Sequence, residues 1–228
     1  MKNLKLFLFL FLINLALDIV FNNIDGLYTF RFITKPGVTI SLLLFYYQNR
    51  QRLSVEEYVF VLEALAVILI GNTFLLEQSN IYFFGIGIIT FMVANVLYTI
   101  VFFRDCTFRL KRLLPVLVGI GAYAAVIFSL IKDNLGPFLI PAIFFLISGV
   151  VMLTMSFLRK GQVNNRSFWM VFIGSIFAVI GWTIVALNQF HKPFPGKNIW
   201  IMFFHGLAHL NIALGILYKY HKMEKITK

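Results

Sequence analysis

Long apolar segments alternate with short polar turns along the whole chain. The clearest case is residues 62–103, in which two apolar segments flank a polar turn at residues 77–80. A helix of about 20 apolar residues spans the hydrocarbon core of a bilayer, so each segment is long enough to cross it. The pattern therefore predicts an all-α, polytopic transmembrane bundle of about eight helices. The predicted helices cover residues 4–21, 28–47, 55–76, 81–103, a fifth segment from the loop at 104–112 to residue 131, and then 137–158, 168–187 and 199–218.

The composition supports a membrane protein and excludes an ordinary soluble domain. Of the 228 residues, 60% are hydrophobic and only 13% are charged, and the mean hydropathy is +0.87. Soluble domains are much more polar than this, so we expect residues 1–228 to form a single integral membrane domain. Helical spans exclude an outer-membrane barrel, which leaves an inner or plasma membrane.

Lysine and arginine are distributed unevenly between alternate loops. Fifteen lie in one set of loops and termini, at residues 2–5, 50–52, 104–112, 159–166 and 219–228, and five lie in the other set. The positive-inside rule places the richer set in the cytoplasm, which predicts eight crossings with both termini cytoplasmic. The net charge of +11 is explained by orientation and by the headgroups of membrane lipids, so we expect no nucleic-acid partner.

Several polar residues lie inside the predicted helices. Glu63 and Asn72 belong to the third helix, and Asn95 and Tyr98 are three residues apart on the fourth. A polar group in hydrocarbon costs several kcal/mol unless it faces a protein interior, so these residues predict a polar pocket within the bundle. Glu63 and Asn72 are nine residues apart, however, which puts them on opposite sides of a straight helix.

A cation precedes the proline of the second predicted helix. Pro36 lacks an amide hydrogen, so we predict that the first helical turn begins there and holds Lys35 at the helix entrance. Two interpretations of Lys35 follow. Its ammonium group reaches the lipid headgroups, or it forms a positive wall for a ligand that carries a phosphate.

Two histidines share one face of the last predicted helix. His205 and His209 are four residues apart, which is the spacing of paired metal ligands, but the glutamate of an H-E-x-x-H motif is absent. His191 and His221 lie in or near loops, so we predict neither a metal site nor a cofactor. A lone cysteine, Cys106, excludes a disulfide within the chain and is interpreted as a passive loop thiol.

The order of these features resembles the lysoplasmalogenase (YhhN-type) family of eight-helix membrane proteins. The shared positions are a Lys-Pro pair in the second helix, small and polar residues at the end of the third, and single residues in the later helices. The positions that correspond to the family pattern, of which Asn72 and Asn95 carry a different residue, are Lys35, Pro36, Gly71, Asn72, Leu75, Phe84, Gly87, Phe91, Asn95, Tyr98, Pro141, Met152, Gly174, Ala186, Phe190 and His209. The resemblance implies hydrolysis of the vinyl ether bond of a lysoplasmalogen, which releases a fatty aldehyde and a glycerophospho-alcohol.

The residues that would carry this chemistry differ from the family pattern. An acid must protonate the enol ether and a base must activate water, and the family has an Asp at the positions of Asn72 and Trp182. Neither Asn nor Trp exchanges protons near neutral pH, and Asn95 stands where the family has a His. The resemblance leaves Glu63, His205 and His209 as the candidate catalytic residues. The candidate substrate-binding residues are Lys35, Asn72, Asn95, Tyr98 and Trp182.

Two functional hypotheses remain open at this point. In the first, the protein is an ether lipid hydrolase whose acid and base have moved to Glu63, His205 or His209. In the second, it is a catalytically degenerate lipid-binding or scaffold protein of the same fold, because the large ring of Trp182 fills part of the pocket. The expected ligand in both cases is a lysophospholipid or ether lipid. Broken helices and paired repeats typical of transporters are not visible in the sequence.

Overall fold

Eight α-helices dominate the structure, a computed structural model that describes residues 1, 3–24, 26–108 and 110–219. The described residues contain no strand, so the predicted all-α fold class is confirmed. Some residues used for the predicted orientation or counted among the histidines lie outside the described residues. They are Lys2, Arg109, His221 and the lysines after residue 219. The helices are α1 (Leu4–Phe21), α2 (Arg31–Gln48), α3 (Val55–Phe74), α4 (Ile81–Phe103), α5 (Leu110–Ile131), α6 (Leu139–Leu158), α7 (Asn165–Phe190) and α8 (Lys197–Lys219).

Side chains that precede three of the helices fix where those helices begin. Ser54 accepts a hydrogen bond from the Glu57 amide at 3.3 Å and donates one to its carboxylate at 2.9 Å. Asn80 accepts from the Tyr82 amide at 2.9 Å, and Asn164 accepts from the Ser167 amide at 2.7 Å. Each contact satisfies an amide that has no partner within its own helix, which accounts for the sharp starts of α3, α4 and α7.

Seven of the described helices are long and apolar enough to cross a membrane, so the chain is a multi-pass membrane protein. The helix that does not meet this criterion is α2, which carries Arg31 and Lys35. It packs against α1, α3 and α8, and its polar residues Arg31, Thr34, Lys35 and Thr39 are all buried. This helix therefore brings polar side chains into the bundle interior. The orientation of the termini stays a prediction.

The range predicted for the second helix, residues 28–47, is close to the observed one, but the prediction that its first turn begins at Pro36 is wrong. A short 3-10 turn, Tyr28–Phe30, leads directly into α2 at Arg31, and Pro36 lies inside the helix. The first turn of α2 is fixed upstream of the proline by Asp18 of α1. Its carboxylate accepts hydrogen bonds from Arg31 at 3.3 and 3.4 Å and from the Thr34 hydroxyl at 2.8 Å. Lys35 consequently lies one turn within the helix.

Seven helices form a closed ring, and one helix packs outside it. Contacts run in the order α1, α2, α3, α4, α6, α7, α8 and back to α1. The remaining helix, α5, packs on α6 and α7, and the two residues that it buries are Ile127 and Ile131. The inner faces of the ring therefore surround the interior of the protein, to which α5 adds an outer wall on one side.

Glycines allow α7 and α8 to approach each other closely. A Cβ atom on Gly174 would lie 2.8 Å from the carbonyl oxygen of Ala208, and one on Gly215 would lie 2.9 Å from the amide nitrogen of Val171. These neighbours are backbone atoms, which cannot move aside without moving the helix. Small residues at such positions are the usual means of close helix packing in membranes.

We expect Gly174→Ala to lower the thermal unfolding temperature of the detergent-solubilised protein, because the added methyl group forces α7 and α8 apart at a cost of about 1–3 kcal/mol. Gly119→Ala is the matched control, because a Cβ at Gly119 on α5 meets nothing within 4 Å. The control should leave the unfolding temperature unchanged or raise it, since alanine is the better helix former by about 1 kcal/mol. Equal unfolding temperatures for the two variants would contradict the close packing described above.

Candidate functional site

A cavity of about 50 Å³ lies inside the ring, between α2, α3, α4, α7 and α8. Polar and apolar side chains both line it, and we call it the polar chamber. Among the described residues that line it there is no aspartate and no glutamate. The chamber is therefore a polar site without an acid of its own. Its polar lining residues are Lys35, Asn72, Gln78, His205 and His209.

The side-chain amide of Asn72 links three helices at the chamber wall. Its Nδ2 atom donates to the hydroxyl oxygen of Thr39 on α2 at 2.9 Å and lies 3.0 Å from Nε2 of His205 on α8. With Nδ2 as the donor, the His205 ring accepts at Nε2 and carries its hydrogen on Nδ1. In this arrangement His205 is a neutral imidazole that is held in a fixed orientation.

Lys35 supplies the positive charge of the chamber. Its side chain is 7% exposed, and its ammonium group donates to the carbonyl oxygen of Leu75 at 3.1 Å. Leu75 begins the short turn that ends α3, where carbonyl groups lack partners within the helix. Asp18 acts on Lys35 electrostatically, but its carboxylate is already bonded to Arg31 and Thr34. One carboxylate, that of Asp18, therefore lies near two basic groups, those of Arg31 and Lys35.

The two histidines of α8 lie side by side in the chamber. The ring centroids of His205 and His209 are 4.6 Å apart, and both residues line the cavity, as their spacing on one helix face predicts. The Tyr98 hydroxyl of α4 lies 3.5 Å from Nδ1 of His209, and the Phe91 ring lies 5.4 Å from His205. The histidines are thus enclosed by aromatic groups of α4.

Trp182 of α7 lines both the polar chamber and a second cavity. Its ring packs between Phe91 and Phe145, with centroid distances of 4.3 and 5.0 Å. The second cavity, of about 80 Å³, lies between α4, α5, α6 and α7, and we call it the apolar cavity. Trp182 therefore lines one polar and one apolar cavity.

Some of the predicted site residues lie away from the chamber. Glu63 is exposed on the outer face of α3, as its nine-residue spacing from Asn72 predicts for a straight helix. Asn95 lines the apolar cavity, and its amide donates to the Ser148 hydroxyl oxygen at 3.2 Å. The structure thus brings together Lys35, Asn72, Trp182, His205 and His209, with Tyr98 beside His209, and it leaves Glu63 and Asn95 apart. The catalytic and binding roles of these residues stay predictions.

A buried network of charges at the ends of α3, α4, α6 and α8 escaped the sequence analysis. The Arg159 side chain is fully buried and donates to the Asp105 carboxylate at 3.0 and 3.1 Å and to the Ser167 hydroxyl oxygen at 3.2 Å. Lys219 forms ion pairs with Asp105 and with Glu57. We call these four charged residues the ion network. Burial lowers the pKa of Arg159, and the neighbouring Asp105 acts in the opposite direction.

The sequence analysis explains the basic loop residues by membrane orientation and lipid headgroups. Two of these residues, Arg159 and Lys219, instead form ion pairs within the protein. A signal was present in the sequence, because Asp105 and Glu57 are acidic residues next to basic loops. Cys106 adjoins the network, and its thiol donates to the carbonyl oxygens of Phe102 at 3.1 Å and Met155 at 3.2 Å. Burial raises its pKa to about 12, which agrees with a passive thiol.

Fold and site together define a multi-pass, all-helical membrane protein with a positively charged chamber among its helices. The chain belongs to the YhhN family, whose sequence model matches residues 30–216. The matched range contains every residue that lines the polar chamber, and it confirms the resemblance drawn from the sequence motifs. No curated protein and no solved structure matches the chain.

We expect Asp105→Asn to destabilise the protein by about 3–5 kcal/mol, because it leaves the buried Arg159 without its counter-ion. The measurement is the thermal unfolding temperature in detergent. Glu56→Gln is the matched control, since Glu56 pairs with Arg104 but its side chain is 71% exposed, and exposed pairs contribute about 0–1 kcal/mol. A loss of stability no larger than that of the control would show that the ion network contributes little.

Proposed function

We propose that this protein binds a single-chain phospholipid or ether lipid, with an anionic group of the lipid at Lys35 in the polar chamber. The observation that carries the proposal is the buried ammonium group of Lys35, which faces a chamber without lining carboxylates in the described residues. A buried charge without a full counter-ion costs several kcal/mol, and an anionic ligand offsets that cost. A phosphate group is the anion that membrane lipids provide.

The other polar groups of the chamber fit the part of a lipid that adjoins the phosphate. Asn72, Gln78 and His205 offer amide and imidazole groups that can exchange hydrogen bonds with hydroxyl and ether oxygens. A lysophospholipid has one free glycerol hydroxyl and one chain, which suits a small chamber better than a lipid with two chains. A multi-pass membrane fold favours a ligand that is taken from the membrane itself.

We expect Lys35→Gln to weaken binding of a lysophospholipid by about 10- to 100-fold, because one charge-assisted hydrogen bond contributes about 1.5–3 kcal/mol. Binding is measured as ligand-induced stabilisation of the purified protein, with an uncharged monoacylglycerol of the same chain as the comparison ligand. Lys132→Gln is the control variant, because Lys132 is exposed.

Without ligand, Lys35→Gln should unfold at the same temperature as the parent or a higher one, since the substitution removes a buried charge. This result separates a loss of binding from a loss of folding. Binding of the lysophospholipid with unchanged affinity by Lys35→Gln, or equal binding of the uncharged monoacylglycerol by the parent, would refute the proposed role of Lys35.

Hydrolysis of a vinyl ether is the second candidate function, and the position of His205 favours it. The His205 ring contacts Asn72, the residue at one of the two family Asp positions, at 3.0 Å. In this reaction a proton adds to the outer vinyl carbon, and water attacks the resulting oxocarbenium ion at the carbon bonded to oxygen. The hemiacetal then collapses to an aldehyde and an alcohol. We infer that His209, as an imidazolium, donates the first proton and that the neutral imidazole of His205 takes one from water.

We expect purified protein to release aldehyde from a lysoplasmalogen if this second function holds, and His205→Ala or His209→Ala to reduce the rate by about 10²–10⁴-fold. His191→Ala is the control, because His191 is exposed in the loop before α8. Glu63→Gln tests the remaining predicted acid, and its outer position leads us to expect retained activity. Lys35-dependent binding without aldehyde release would identify a lipid-binding protein that does not carry out this hydrolysis.

A further inference from the structure

The apolar cavity has no part in the proposed function, although it adjoins the polar chamber. Its polar side chains are already bonded within the protein. Asn95 donates to the Ser148 hydroxyl oxygen at 3.2 Å, and the hydroxyl oxygens of Tyr123 and Thr183 are 2.7 Å apart. The other described residues that line it are apolar. The cavity therefore offers a ligand an apolar surface, which suits hydrocarbon.

One wall is common to the two cavities. Ala178, Trp182 and Val185 of α7 line both the polar chamber and the apolar cavity. Ala178 and Val185 are small, so the ring of Trp182 provides most of the separation. Lys35 lines the polar chamber but not the apolar cavity of about 80 Å³.

We propose that the apolar cavity holds the hydrocarbon chain of the lipid whose anionic group lies at Lys35, and that Trp182 determines which chains pass between the two cavities. This inference rests on the proposed function, because it assigns the second half of the same ligand. A single-chain lipid has one charged end and one apolar end, and the two cavities offer the corresponding linings. One apolar cavity beside the chamber accommodates one chain, which favours a lysophospholipid over a diacyl lipid.

The position of Trp182 gives it a direct part in chain selection. A chain that runs from the chamber into the apolar cavity crosses this shared wall, whose largest side chain is the Trp182 ring packed against Phe91 and Phe145. A straight chain can pass beside a flat ring, whereas a methyl branch at the same depth requires the ring to move. Trp182 should therefore discriminate between straight and branched chains.

The test is photolabelling with a lysophosphatidylcholine that carries a diazirine at the end of its chain. We expect the label on residues of α5 and α6 that line the apolar cavity, read out by mass spectrometry of peptides from the full-length protein in detergent. Gly149→Leu fills the cavity, because Gly149 lines it and a Cβ there meets nothing within 4 Å. The leucine of Gly149→Leu should displace about two methylene groups of the lipid chain from the cavity, which corresponds to about a tenfold loss of affinity for the lysophospholipid.

Gly119→Leu is the matched control, since Gly119 also has nothing within 4 Å of its Cβ position but does not line the apolar cavity. Labelling of α5 and α6 should persist in this variant. If labelling is lost in both variants, or in neither, the assignment of the chain to the cavity is overturned.

Competition by straight and methyl-branched lysophospholipids tests Trp182 in the same assay. The parent should prefer the straight chain, and Trp182→Ala should reduce or abolish that preference, with Trp182→Phe between them. An unchanged preference in Trp182→Ala would overturn the role of this residue.

The experiment also separates this inference from the function on which it rests. If binding depends on Lys35 but the label lies outside the apolar cavity, only the placement of the chain fails. If the parent protein does not bind the lysophospholipid at all, both the proposed function and this inference fail.

Discussion

The structure depends on the way in which α1 holds the charged start of α2 inside the bundle. Asp18 is fully buried and bonds to both Arg31 and Thr34, so a helix that is too polar to cross lipid on its own has a place among apolar neighbours. This contact sets the rotation of α2, because Lys35 and Thr39 then follow on its buried face. In this rotation of α2, Lys35 lines the chamber and Thr39 accepts a hydrogen bond from Asn72 at the chamber wall.

Charge is buried in two different ways in this protein. In the ion network, Arg159 and Lys219 are paired with Asp105 and Glu57, so positive and negative groups are matched within the protein. Beside the chamber, the single carboxylate of Asp18 lies near two cations, Arg31 and Lys35. A network in which each buried cation has a carboxylate partner stabilises the fold. A buried cation beside a cavity without its own carboxylate is typical of a binding site. The contrast directs attention to the chamber rather than to the larger cluster of charges.

Much of the fold was predictable because lipid imposes a strict rule on the length of apolar segments. The predicted and observed bounds of α1 and α4 coincide, since polar residues lie directly before and after both apolar segments. The first turn of α2 was wrongly placed at Pro36, because the hydrogen bonds to Asp18 join two different helices and leave no local pattern in the sequence. The helical period placed Glu63 and Asn72 on opposite sides of α3, and the structure agrees with this. The contact between Asn72 and His205 could not be predicted, because it joins residues that are 133 positions apart.

The ring of helices also determines when the chamber can exist during synthesis. The ring closes where the first helix meets the last, and Asn72 reaches His205 only when α8 is in place. Until α8 has entered the membrane, Lys35 and Asn72 of the nascent chain lack this neighbour and depend on water, lipid headgroups or the insertion machinery for their polar contacts. The polar site is thus completed only after α8 has been inserted.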